Sequence, residues 1–176
     1  APKIAQVNTV TPATVDIGDT FTITENTKSV TVTATAATVL NVTALLTTAF
    51  NASIEPEFME ATATDSTTLV TLTADTKGKP FTNTSSSVGG TNTTAILTAN
   101  SGPNVWIAAN WSAATLPADT EDVYIENSNV DILYAIDQTG VDLTSLNIPA
   151  SYTGKIGNPN QNGTYREYRD KYLIIG

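Results

Sequence analysis

Along most of this chain apolar residues alternate with threonine or serine, the period-2 pattern of strands that bury one face and wet the other. Residues 19–24 (DTFTIT) put Phe21 and Ile23 on one face, and residues 29–35 (SVTVTAT) do the same with Val30, Val32 and Ala34. The turn-forming Glu25-Asn26-Thr27-Lys28 between them makes the pair a hairpin. A first strand is expected over residues 4–11, closed by Pro12, and a second alternating pair, 59–63 and 70–74, flanks Asp65-Ser66-Thr67. Gly78 and Pro80 then break the run. Residues 82–94, dominated by Ser, Thr and Asn around Gly89-Gly90, read as a loop or a weak edge strand, and residues 95–99 add one last strand.

One segment departs from this pattern. In residues 38–51 (TVLNVTALLTTAFN), Val39, Val42, Leu46 and Ala49 recur at three and four residues with Leu45 and Phe50 beside them, while Asn41, Thr43, Thr47 and Thr48 face away. The spacing predicts a helix with one buried stripe, N-capped by Thr38 and ended by Asn51 in the left-handed conformation, with Pro56 forbidding a restart. Its Val and Thr content makes it a poor helix in isolation, so packing must hold it. Residues 1–100 are therefore expected to form a small α+β domain, an antiparallel sheet with one helix on one face.

Ser101-Gly102-Pro103-Asn104 combines turn residues with a change of texture and marks the expected domain boundary. Beyond it threonines thin out, Trp106 and Trp111 appear, and short strands follow at 122–126, 130–134, 141–148, 154–156 and 172–175 with no helical pattern between them. Short strands with Asn, Asp and Gly at the corners suit the start of a parallel β-helix over residues 101–176, whose stacked turns bury a core only by repetition; an antiparallel meander fits the same spacing. The apolar last residues, 172–176, form a strand that must find a partner in the preceding turns or in another copy.

Composition narrows the chemistry. About one residue in five is threonine, suited to the wet face of a sheet, and the fold class is mainly β. A net charge of -9 and a pI near 4.2 oppose nucleic-acid binding. No apolar run is long enough to cross a bilayer, so a soluble chain is expected. With no cysteine there is no disulfide framework. With no histidine, Ser-His-Asp and Cys-His nucleophilic sites and the usual zinc ligand sets are excluded. No cofactor is implied.

Carboxylates are what remains for acid–base work, and Asp119, Glu121, Asp122 and Glu126 are the densest group. Two of them across a sugar could hydrolyse a glycoside, but a solvated turn leading into a strand explains them as well. That group, or Asp16 with Asp19, could hold calcium through carboxylate and carbonyl oxygens, but neither has an EF-hand or RTX spacing. Trp106 and Trp111 either stack on a glycan or cover the open end of a solenoid. The segment holding Tyr165, Arg166, Tyr168, Arg169 and Tyr172 concentrates the residue types of interface hot spots and is the candidate contact surface between subunits or with a receptor. Six Asn-x-Ser/Thr triplets, at Asn41, Asn51, Asn83, Asn92, Asn110 and Asn162, fit chance in so Asn- and Thr-rich a chain.

Two resemblances add to this reading. Residues 18–82, a hairpin, a helix that ends in Ala-Phe-Asn-Ala and then residues 60–81 (EATATDSTTLVTLTADTKGKPF), resemble a small domain of bacteriophage tail and other virion proteins, carried by Ala61-Thr62-Ala63, Leu72-Thr73-Ala74 and Gly78. Residues 104–133 resemble the opening phrase of secreted and surface β-solenoid repeats, matched by Trp106, Asn110, Trp111, Pro117 and Asp122 but without the glycine usual before the aspartate. The resemblances imply a non-enzymatic structural component of an extracellular assembly, a phage virion protein such as a tail, fibre or capsid-decorating subunit, located in the virion or outside the cell. The open end of a short solenoid, the apolar last strand and the Tyr/Arg run before it point to self-association, for which the resemblance to fibrous virion proteins implies threefold symmetry, or to contact with other virion or surface subunits. A cell-surface or matrix adhesin that binds glycan is the alternative, and a carbohydrate-active enzyme using carboxylates a weaker one.

Overall fold

The computed structural model of the chain describes residues 1–157 and 173–176. With 37% strand and 12% helix, the latter comprising one α-helix and two short 3-10 turns, the protein is mainly β, and its long pairings are antiparallel. Its contacts divide it into two compact units. Among the described residues, one holds Ile4–Asn100 and the other holds Ala1–Lys3 together with 101–157 and 173–176. Ala1 belongs to the second unit because its ammonium donates to Asn110 Oδ1 at 2.8 Å.

The first unit contains β1 (Val7–Ala13), β2 (Thr20–Glu25), β3 (Lys28–Thr33), the helix α1 (Val39–Ala52), β4 (Ala61–Asp65), β5 (Val70–Ala74), β6 (Asn83–Val88) and β7 (Thr91–Thr98). They form two antiparallel sheets, ordered β4-β5-β1-β7 and β3-β2-β6. Alternation does the sorting: Asn8, Val10 and Pro12 of β1, Phe21 and Ile23 of β2, and Val70 and Leu72 of β5 turn inward and their neighbours outward. Val42, Leu46 and Phe50 of α1 close the core, and Phe50 meets Phe58 edge to face with ring centroids 4.9 Å apart.

Three expectations are corrected here and one open alternative is settled. Pro12 lies inside β1 and does not close it; pairing with β5 stops at Val10, so Pro12 sits where the strand has only β7 beside it and its missing N–H is tolerated. Residues 82–94, read as a loop or a weak edge strand, form strands at sheet edges. They are β6, the Gly89-Gly90 corner and the start of β7, and the two strands enter different sheets while their side chains bond across the corner, Ser87 Oγ to Gly90 O at 2.7 Å and Ser85 Oγ to Asn92 O at 3.1 Å. Serine supplies these corner bonds, and β-branched threonine the strand propensity. Gly89 has φ +99, and a Cβ there would lie 1.8 Å from Asp19 Oδ1, so any other residue at the corner is strained and must displace the Asp19 carboxylate.

The helix begins as expected, with Thr38 Oγ1 accepting from Asn41 N at 3.3 Å. Its end differs. Asn51 stays helical and α1 stops at Ser53 in an extended conformation, because the Asn51 amide accepts from Ala63 N and donates to Ala63 O, both at 2.9 Å. Since β4 is an edge strand, this side chain satisfies backbone groups that no neighbouring strand reaches. Thr43, expected on the outer face, is fully buried; its hydroxyl donates to Leu40 O at 3.2 Å, which leaves the methyl free to join the stripe.

In the second unit the described strands are short: β8 (Asp122–Tyr124), β9 (Asp137–Gln138), β10 (Ser145–Asn147) and β11 (Ile174–Ile175). β8 pairs with β10 and β9 with β11, in both cases parallel. Residues 130–134 and 154–156, expected as strands, contribute only the parallel bridges Val105–Tyr134 and Ile132–Ile156. Positive φ at Thr120, Asn127 and Ala135 cuts the extended runs short, and β9 was not foreseen. The apolar last strand, β11, has its partner in β9. Trp106, Ile125 and Ile136 form the core of the unit, with Ile132, Leu146, Tyr152, Ile156 and Leu173 against it.

Candidate binding cleft

Residues 122–126 alternate in burial, Val123 and Ile125 inward and Asp122, Tyr124 and Glu126 outward. Tyr124, left 58% exposed, and Glu126 therefore project on the same side, two residues apart. They line a cleft of about 620 Å³, open on one side, whose other walls come from Trp111, Ser112, Ser128 and Tyr152. That size falls in the range of roughly 300–1,000 Å³ usual for small-molecule sites.

The aromatic walls are held from behind. Trp106 is only 4% exposed and lies in the core, so its faces are closed to a sugar ring; it supports Trp111 edge to face at 4.8 Å. Trp111 keeps part of its surface open. The Tyr152 hydroxyl donates to Val130 O at 2.9 Å, and partial burial, with the Asp131 carboxylate nearby, raises its pKa above the ordinary phenol value. Asn110 also borders the cleft, but its Nδ2 is spent on Val105 O at 2.7 Å and Gly102 O at 2.9 Å, tying down the preceding loop. Its place in the Asn-Trp-Ser phrase is thus a structural one.

The carboxylates considered for catalysis are not gathered around one point. Asp119 Oδ1 accepts from Asp142 N at 3.0 Å, Glu121 Oε2 from Ala118 N at 3.0 Å and Asp122 Oδ1 from Ser145 Oγ at 2.5 Å; Glu126 alone of the four faces the cleft. Asp19 Oδ2 accepts from Asp16 N at 2.9 Å, closing a local turn. Among the described residues no group of three or more His, Cys, Asp or Glu is placed to hold a metal ion. The proposed contact residues Tyr165, Arg166, Tyr168, Arg169 and Tyr172 lie outside the described residues.

A second polar cluster, in the first unit, escaped the sequence reading. Glu25 was expected in a turn, yet it ends β2 on the inward face after Phe21 and Ile23 and is 1% exposed. Burial, assisted by the negative charge of Glu60, raises its pKa to about 9, so it is a neutral acid at pH 7. Asn83 stands opposite it on β6 and accepts from Asn8 Nδ2, while Gln6 Nε2 donates to Phe81 O at 2.7 Å. Lys79 Nζ lies 2.7 Å from Glu60 Oε1. The signal was in the period: the Phe21-Ile23 alternation, continued one step, reaches Glu25. No protein-family model matches the chain, and neither does any curated protein.

Proposed function

We propose that this chain is a non-enzymatic structural component of an extracellular assembly, a phage virion protein of tail, fibre or capsid-decorating type, and that its second unit begins a parallel β-helix. One observation carries the reading, a recurrent interval in the cross-turn bonds. Thr144 Oγ1 to Thr120 O, Lys155 N to Asp131 Oδ1 and Asn127 N to Ser151 Oγ each span 24 residues, and Ser145 Oγ to Asp122 Oδ1 and Asp142 N to Asp119 Oδ1 each span 23. Bonds at intervals of 23 and 24 residues between parallel segments are what stacked coils produce, each coil covering the apolar face of the next, while the parallel pairs Val105–Tyr134 and Asp137–Ile174 span 29 and 37 residues. Such a stack is stiff and grows by adding coils or copies, which suits a fibre or spike. The acidic surface suits a particle exterior, and among the described residues no helix is long and apolar enough to cross a membrane.

In this reading the chain self-associates, as a trimer or within a larger symmetric array. Two measurements test it. Particles from the source culture, separated on a density gradient and probed with antibody to the purified chain, should carry it; signal confined to the particle-free fraction overturns the virion role. Sedimentation velocity on the recombinant chain should give an oligomer, and a monomer at high micromolar concentration removes the assembly argument.

A further inference from the structure

We infer that the cleft of the second unit binds a neutral saccharide, with Trp111, Tyr124 and Tyr152 against its ring faces and Glu126, Ser112 and Ser128 bonding its hydroxyls. The inference goes beyond the assembly role and holds for a virion or a cell surface alike.

A sugar ring presents an apolar C–H face and a polar rim of hydroxyls, and the lining of this cleft is divided in the same way. Tyr124 leaves 58% of its surface in water beside the outward Glu126 carboxylate, on a segment whose alternate residues are buried. Trp111 is braced by Trp106 at 4.8 Å and Tyr152 is anchored through its hydroxyl to Val130 O at 2.9 Å, so two of the three rings are fixed before any ligand arrives. Fixed aromatic plates lose little side-chain entropy on binding.

Charge selects within the saccharides. Among the described residues that line the cleft there is no Lys or Arg, and the chain carries a net charge of -9. Sulfated, sialylated and phosphorylated ligands are therefore repelled. Among the described residues no group of three or more His, Cys, Asp or Glu stands at the cleft, and the contacts inferred here are direct ones between side chains and the sugar. A neutral ring offers Glu126 hydroxyl donors without a charge to oppose it.

The test applies the full chain to an array of neutral, sialylated and sulfated glycans, then titrates the best-retained neutral oligosaccharide by calorimetry and by tryptophan emission. Both tryptophans, Trp106 and Trp111, lie at the cleft, so binding should change the emission. Expected are retention of neutral glycans only, a Kd below about 1 mM, and loss of affinity by about tenfold or more in Tyr124→Ala and in Trp111→Ala, with a smaller loss in Glu126→Gln. Tyr124 is exposed, so Tyr124→Ala should keep the wild-type circular dichroism and melting curve, and Ile96→Ala in the first unit should bind as wild type. No neutral glycan retained, binding confined to sulfated or sialylated glycans, or wild-type affinity in both aromatic variants would each overturn the inference.

Discussion

Glu25 should make the first unit less stable as pH rises from 4.5 toward 9. In the folded chain its pKa is raised from 4.5 to about 9, by burial first and by the charge of Glu60 second. A group whose folded pKa lies above its unfolded one contributes most favourably below the unfolded value and loses that contribution as pH climbs to the folded value. Below pH 4.5 both states hold the proton. Above it the unfolded chain releases the proton and the folded chain keeps it, at about 1.36 kcal/mol per pH unit, so that by pH 7 the deficit is about 3 kcal/mol. Because Glu25 is 1% exposed, solvent screening removes little of this. Glu25→Gln keeps the shape and removes the titration. At pH 7 the variant should melt higher, by on the order of 10 °C for a unit of this size, and at pH 4 the two proteins should converge. Ellipticity at 222 nm is the suitable signal, since α1, the one α-helix among the described residues, lies in this unit, whereas both tryptophans and all six tyrosines lie beyond residue 100. Parallel pH profiles for the two proteins between pH 4.5 and 9 would refute the assignment of a buried neutral acid.

Three further outcomes test the packing, each read by the same signal in urea. Leu46→Ala should cost about 2–5 kcal/mol by opening a cavity in the core, whereas Thr47→Ala should be near neutral or slightly stabilising, because the Thr47 hydroxyl is buried without a hydrogen-bond partner; equal effects would mean a wrong helix register. Asn51→Ala should cost about 1–3 kcal/mol by stripping both backbone bonds from Ala63 of edge strand β4, and a neutral result would show that water replaces them freely. Gly89→Ala should destabilise by more than about 1 kcal/mol, and adding Asp19→Ala should recover only the part due to the clash and not the part due to φ +99; full recovery would show that the backbone conformation costs nothing.

The sequence by itself determined the elements whose signal is local. Alternation over 19–24, 29–35 and 70–74 placed β2, β3 and β5, and the period of 38–51 placed α1 and its Thr38 cap, because each side chain's direction follows from its own backbone. The tertiary structure decided what depended on a neighbour distant in sequence. Asn51 had a plausible local role at a helix end; its actual role exists only because Ala63 lies opposite. Residues 82–94 read as loop or weak edge strand, since Ser and Thr gain little from burial, and the choice fell to edge strands because β1 and β2 each had an open edge to pair. Glu25 looked like a turn residue until β6 and Glu60 closed over it. The cleft belongs to the same class: Trp111, Tyr124 and Tyr152 are separated along the chain by 13 and 28 residues and face one space only because segments about two dozen residues apart lie side by side. A local pattern sets which way a side chain points, but burial and hydrogen bonding are properties of a pair of segments, and the pair is chosen by the fold.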